Sequence, residues 1–108
     1  MNDTHFILEG KEPKPVDLMT WAKWYETANR TVARDIVNDY LVSTVFLGLD
    51  HRFDDGGPPL LFETMVFPRC GKTVNYMLEE FAERASTWDE AEACHRRGIE
   101  FVRKRLIN

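Results

Sequence analysis

The sequence predicts an α+β fold in which an antiparallel sheet of about four strands is covered on one face by two helices. Three observations lead to this prediction. Short β-rich runs follow one another with tight turns between them, which is typical of antiparallel pairing. Two segments repeat apolar residues at helical spacing along one side. A one-faced helix needs an apolar surface to cover, so both helices are expected on the sheet.

The first helix is predicted over residues 17–29, after a strand over residues 5–9. Asp17 is a good N-cap, because its carboxylate accepts hydrogen bonds from the first helical N–H groups. Pro13 and Pro15 exclude a helix interior in the segment before it. The apolar stripe of this helix consists of Leu18, Trp21, Ala22, Tyr25 and Ala28.

Three further strands are predicted over residues 31–37, 40–49 and 60–67. The Asn-Asp turn signal at 38–39 joins the first two as a hairpin. The second and third strands are apolar on both faces, which indicates central positions in the sheet. Pro68 is expected to end the third strand, because proline lacks the N–H group that a sheet ladder needs.

Residues 69–85 are predicted to form an edge strand or an irregular hairpin arm, with a helix over MLEEFAERA as the alternative. A helix start directly afterwards argues against that alternative, because Thr87 is an N-cap and Glu90 completes a capping box. The last helix is predicted over residues 88–106, with acidic residues at its start and basic residues at its end, which complement the helix dipole. Its apolar stripe consists of Trp88, Ala91, His95, Ile99, Val102 and Leu106.

Composition and charge narrow the classes of function. The chain has 108 residues, which suits a single domain over residues 1–108. No apolar run approaches the roughly 20 residues of a membrane span, and the start lacks a secretory signal, so a cytoplasmic protein without a membrane partner is expected. The net charge of −4 disfavours nucleic-acid binding, which needs a basic face. The two cysteines, Cys70 and Cys94, show no metal-binding spacing, and they are expected to stay reduced because cytosolic thiols normally do.

Three segments, STVFLGLDHRF, PPLLFETMVF and STWDEAEACH, resemble in this order a family of small uncharacterised proteins encoded by bacteriophages and prophages. The similarity covers roughly residues 24–95 and departs from the family at residues 70–85. The resemblance implies a phage or prophage origin and a non-virion accessory role in the cytoplasm of a bacterial host. It brings no known activity and no catalytic residues.

The candidate catalytic residues are His51, Glu63 and His95. A carboxylate and two imidazoles can hold a divalent metal or perform acid–base catalysis. Glu63 and His95 can meet only if the last helix packs over the face of its strand that carries Glu63. The structural alternative is a core histidine and a strand carboxylate that each satisfy a polar neighbour. No cofactor is expected on balance; a divalent metal on Asp50, His51 and His95 is the alternative.

A protein-binding module is the leading functional hypothesis, because the chain is small and acidic and lacks a strong catalytic motif. The expected partner is a host or phage protein, and inhibition of a host defence or regulatory protein is one form of this function. The predicted contacts are Trp24, Phe53, Asp54 and Asp55, in the first helix and in the acidic connector DHRFDDGGPP. A small metal-dependent or acid–base enzyme and a homo-oligomer built by pairing of sheet edges are the alternatives.

Overall fold

The chain forms an α+β structure in this computed structural model, which describes residues 3–52 and 56–107. The described elements, in chain order, are β1 (Phe6–Glu9), β2 (Glu12–Pro15), α1 (Leu18–Thr27), β3 (Thr31–Val37), β4 (Tyr40–Phe46), β5 (Phe62–Cys70), β6 (Thr73–Val74), β7 (Phe81–Ala85) and α2 (Trp88–Ile107). The predicted fold class is confirmed. Each predicted helix and strand is present, with ends that differ by a few residues.

The described strands form two antiparallel sheets. In the larger sheet, β3, β4 and β5 are neighbours, and both β6 and β7 pair with the far edge of β5, which gives five strands rather than about four. β1 and β2 form a separate hairpin. The sequence prediction lacks β2, because its Pro13 and Pro15 weaken the strand pattern; a two-stranded hairpin tolerates prolines on its unpaired edge.

Alternate residues of β4 and β5 form the face of the sheet that α2 covers. Its fully buried residues are Val42, Thr44, Phe46, Phe62, Thr64 and Val66. Gly98 of α2 lies directly above them, since a Cβ atom at this position would be 3.0 Å from Val42 Cγ1 and 3.3 Å from Thr64 Cγ2. The glycine therefore lets the helix axis approach the two central strands closely, which a larger residue would prevent.

The start of α2 confirms the predicted capping box. The Thr87 hydroxyl accepts a hydrogen bond from the Glu90 N–H at 3.1 Å and donates one to the Glu90 carboxylate at 3.0 Å. The buried side of the helix includes Ala91, His95 and Val102, as the apolar stripe predicts.

α1 lies at one end of the larger sheet and is held by aromatic contacts. Asp17 caps it as predicted, because its carboxylate accepts a hydrogen bond from the Thr20 N–H at 2.8 Å. The Trp24 ring meets the Phe46 ring edge-on at 5.7 Å, on the sheet face that α2 covers. None of the ten residues of α1 is fully buried, so the helix packs against the edge of the core.

β5 runs through Pro68 to Cys70, so the prediction that Pro68 ends this strand is wrong. On one side, Pro68 pairs with Tyr40 of β4. On the other side it faces the gap between β6 and β7, where the Pro68 carbonyl accepts a hydrogen bond from the Asn75 N–H. Pro68 lacks a backbone N–H group, and the side on which that group would lie faces this gap. The proline therefore removes no hydrogen bond to a continuous partner strand.

The segment over residues 69–85 forms edge strands and not a helix, as predicted. β6 and β7 continue one another along the edge of β5, and residues 75–80 leave this line between them; we call these six residues the excursion. Two hydrogen bonds fix its ends. The Asn75 N–H donates to the Pro68 carbonyl, and the Glu80 N–H donates to the Val66 carbonyl. Excursions of this kind are typical of sheet edges, where a bulge interrupts the ladder.

Candidate functional site

His95 is the centre of a buried polar chain that links α2 to three strands. Its Nδ1 atom lies 2.7 Å from the Thr44 hydroxyl, which lies 2.6 Å from the Thr64 hydroxyl. Its Nε2 atom lies 2.7 Å from the Asp35 carboxylate. His95 is 5% exposed and Thr44 is fully buried, whereas the side chain of Asp35 reaches solvent at the sheet edge.

The chain of hydrogen bonds is complete in one direction when the imidazole is neutral. Thr64 then donates to Thr44, Thr44 donates to Nδ1, and the Nε2–H group donates to Asp35. The order carboxylate, imidazole, hydroxyl has the form of a nucleophile-activating triad. Thr44 is sealed under α2, however, so a substrate cannot reach its hydroxyl in this structure. The arrangement instead satisfies polar groups that would be costly to bury alone.

Glu63 lies on the opposite face of the sheet from His95. Its neighbour Thr64 points towards α2, and successive residues of a strand point to opposite faces. The Glu63 carboxylate accepts a hydrogen bond from Arg84 Nε of β7 at 3.0 Å. The condition for an approach of Glu63 to His95 is therefore not met, because α2 packs over the other set of alternating residues.

His51 and Asp50 lie in the connector that follows β4. The Asp50 carboxylate accepts hydrogen bonds from the Leu60 N–H at 3.0 Å and the Arg52 N–H at 3.1 Å, and it also pairs with the Arg52 guanidinium. The Arg52 guanidinium donates in turn to the Gly57 carbonyl. The connector is thus closed around Asp50, while the His51 N–H donates to the Leu60 carbonyl at 3.1 Å.

The pKa of Asp50 lies below its ordinary value. Burial by itself raises the pKa of this carboxyl group, but the two backbone N–H groups and the Arg52 guanidinium together outweigh that effect. Asp50 is therefore an ionised structural anchor of the connector.

The part of the chain that the structure describes contains no cluster of side chains suited to binding a metal ion. Across residues 3–52 and 56–107, no group of three or more His, Cys, Asp or Glu side chains is placed to hold an ion. Of the metal candidates, Asp50 is engaged with Arg52 and Leu60, and His95 with Thr44 and Asp35. A divalent metal stays an untested alternative.

The predicted partner contacts lie at the α1 end of the molecule or outside the described residues. Trp24 is half-buried against Phe46. Phe53, Asp54 and Asp55 lie outside the described residues, in the same connector that Asp50 anchors.

The side of α1 that faces the core is rotated from the predicted apolar stripe towards Trp24. Trp21, Trp24 and Tyr25 make the contacts, whereas Leu18 and Ala22 of the predicted stripe are exposed. Leu18 is 58% exposed and its neighbour Met19 is 73% exposed. Trp21 stacks on Tyr25 at 4.6 Å and approaches Gly48 so closely that a Cβ atom there would lie 2.9 Å from Trp21 Nε1. The helix is therefore fixed by one side, and its first turn keeps two apolar residues uncovered: Leu18 at the edge of that side and Met19 away from it.

The two cysteines have unlike surroundings. Cys94 is buried under the sheet, and burial raises the pKa of its thiol, with a smaller contribution from Glu83. Cys70 is exposed at the end of β5. Cys94 therefore behaves as a packing residue, whereas Cys70 is the accessible thiol.

Sequence reasoning identified His95 as inward-facing but missed Thr44, Thr64 and Asp35 as its partners. The only signal was the placement of two threonines at alternate positions within apolar strands. Asp35 gives no such signal, because a charge in an edge strand is common.

Comparison with protein-family models, with curated protein sequences and with solved structures finds no match to this chain. Among the described residues, no helix is long and apolar enough to cross a membrane.

Proposed function

We propose that this chain is a protein-binding module: a phage-type accessory protein that acts by occupying a surface of a host protein, such as a defence or regulatory protein. The observation that carries the proposal is the uncovered first turn of α1, where Leu18 and Met19 are largely exposed. The phage origin and the host target are supported by the three sequence segments alone.

The helix is suited to docking because its position is already fixed. Trp21, Trp24 and Tyr25 hold one side against His5, Phe46 and Gly48. A partner therefore does not have to order the helix, which lowers the entropy cost of association. Burial of an exposed side chain the size of Leu or Met contributes about 1.5–3 kcal/mol, so Leu18 and Met19 can serve as anchors in an apolar groove.

The connector extends this surface in the proposal. It leaves β4 next to Phe46, which is the residue that Trp24 contacts. Phe53, Asp54 and Asp55 stay proposed contacts, and their carboxylates would favour a partner with a basic rim around its apolar groove.

The test is affinity capture from a bacterial host lysate with the tagged full chain, quantified by mass spectrometry. The informative variant is Leu18→Asp with Met19→Glu, because acidic residues in the first helical turn suit the dipole and leave α1 intact. The control is Met77→Glu, which places one acidic residue on an exposed methionine at the other end of the sheet.

We expect one near-stoichiometric partner with the wild type and with the control, and a loss of at least about tenfold in capture with the α1 variant. Equal capture by all three proteins, or no partner for a well-folded wild type, would overturn the proposal.

The enzyme alternative using His51, Glu63 and His95 is less well supported. Glu63 and His95 lie on opposite faces of the sheet, and the hydroxyl beside His95 is fully buried.

A further inference from the structure

The excursion exposes three consecutive large apolar side chains. Tyr76 is 61% exposed, Met77 is 90% exposed and Leu78 is 56% exposed. The Tyr76 ring also meets the Phe67 ring at 5.1 Å, so the base of the excursion is fixed on the sheet while Met77 projects into solvent. Such a projecting apolar segment is unfavourable in water unless another surface covers it.

A groove of about 580 Å³ opens beside the excursion. Its walls come from the end of β5, from β6 and from the base of the excursion: Pro68, Arg69, Cys70, Thr73, Val74, Asn75 and Leu78. This lining is mostly apolar and contains no acidic side chain. A flexible methionine side chain is well suited to fill such an irregular space.

The charges around the two features are of opposite sign. Glu79 follows the projecting residues, whereas Arg69 lines the groove and Lys72 lies in the turn at its rim. Neither Glu79 nor Lys72 has an ion-pair partner within residues 3–52 and 56–107. The acidic, apolar excursion is therefore complementary to the basic, apolar groove next to it.

We propose that the protein forms a two-fold symmetric dimer through this surface, with Met77 of each copy entering the groove of the other. A two-fold interface brings the same patch of both copies together, so a patch that contains both a projection and its complement can be used twice. Glu79 of one copy then faces Lys72 and Arg69 of the other. The occupant of the groove is a second copy of this chain.

The proposed dimer interface is separate from the proposed partner-binding surface and lies at the opposite end of the sheet. α1 packs at Phe46, the last residue of β4, whereas Tyr40, the first residue of β4, pairs with Pro68 in the groove. A dimer formed at the groove leaves both α1 surfaces accessible to a partner.

The test is the molar mass of the full chain, measured by sedimentation equilibrium from 1 μM to 1 mM at 0.15 M salt. The wild type is expected to approach twice the monomer mass of 12.6 kDa as the concentration rises. Met77→Glu is expected to raise the dimer dissociation constant at least about 30-fold, because it replaces the apolar side chain that fills the groove with a carboxylate that must lose its water to enter. Met19→Glu, at the other end, is the matched control and should leave the dissociation constant unchanged.

Charge reversal separates this interface from any other mode of self-association. Glu79→Lys alone and Lys72→Glu alone should each weaken the dimer by placing like charges together. The double variant restores the opposite charges and should recover most of the affinity. Both positions are exposed, so neither change is expected to unfold the chain.

Cys70 supplies a second readout without any substitution. It lines the groove, whereas Cys94 is buried. Alkylation of Cys70 should therefore slow as the concentration rises in the wild type but not in Met77→Glu.

A chain that stays monomeric at 1 mM would overturn the proposal. A dimer that Met77→Glu leaves intact, or one that the double charge reversal fails to recover, would also overturn it. Occupation of the groove by a foreign protein alone would appear as a monomer throughout this series and counts against the proposal.

Discussion

At the scale of single residues, His95 shows how a polar group is accommodated in this core. Its imidazole has a hydrogen-bond partner on each nitrogen, in Thr44 and Asp35. A buried polar group without such partners would cost about 1–3 kcal/mol, so the side chains of three different strands act together to keep it in place. The sequence places His95 on the inner side of a helix but cannot show which strand residues face it.

Substitution of His95 is expected to reduce stability. His95→Asn removes the ring and leaves Thr44 and Asp35 without this partner, so the free energy of unfolding should fall by about 2–4 kcal/mol. Urea unfolding followed by tryptophan fluorescence would measure this. His51→Asn is the matched control, since only the backbone of His51 is engaged in the described connector, and it should change stability by less than about 1 kcal/mol. Equal effects of the two changes would contradict the buried network.

The sequence did not show which residues of β5 face α2, because that depends on the register between strands. Glu63 and Thr64 are neighbours in an apolar strand, and the pattern alone does not decide which of them faces the helix. A strand that is apolar on both sides lacks the alternation that would identify its inner face. The register of β5 with β4, which pairs Thr44 with Thr64, settles it and places Glu63 outside.

At the scale of elements, the connector between β4 and β5 owes its closed form to Asp50. Its carboxylate joins both ends of the connector by accepting from the Arg52 and Leu60 N–H groups. The Gly-Pro composition of this segment predicts a reversal of the chain but does not identify the group that holds it.

The low pKa of Asp50 implies a definite dependence of stability on pH. A carboxyl group whose folded pKa is below its unfolded value stabilises the fold when ionised, and this contribution is lost as the pH falls from about 3.8 through the folded pKa. Asp50→Asn should lower the free energy of unfolding by about 1–3 kcal/mol at pH 7. The difference from the wild type should shrink as the pH falls from about 3.8 through the folded pKa, because Asp50 takes up its proton there. Urea unfolding at a series of pH values would measure it, and a difference that is constant with pH would contradict the assigned role.

Most elements could be predicted because their signals are local. The caps at Asp17 and Thr87 and the turn at residues 38–39 each depend on one or two side chains. The rest depends on contacts between distant segments. β5 continues through Pro68 because the opposite edge is interrupted there, and the rotation of α1 is set by the fit of Trp21 against Gly48. Neither contact can be read from the pattern of the segment alone.

At the scale of the whole molecule, the two ends of the larger sheet have separate surfaces. The α1 end exposes Leu18 and Met19 and is proposed to bind a host protein. The other end carries Met77 and the groove and is proposed to join two copies. A dimer of this kind presents two α1 surfaces, so it could engage two partner molecules or a partner with two sites at higher overall affinity.

The most direct test of this account is the light-scattering mass of the purified complex between the chain and its captured partner. We expect a complex of two chains with two partner molecules for the wild type, and a complex of one chain with one partner molecule for Met77→Glu. A complex of one chain with one partner for the wild type, or failure of Met77→Glu to bind the partner at all, would contradict the separation of the two surfaces.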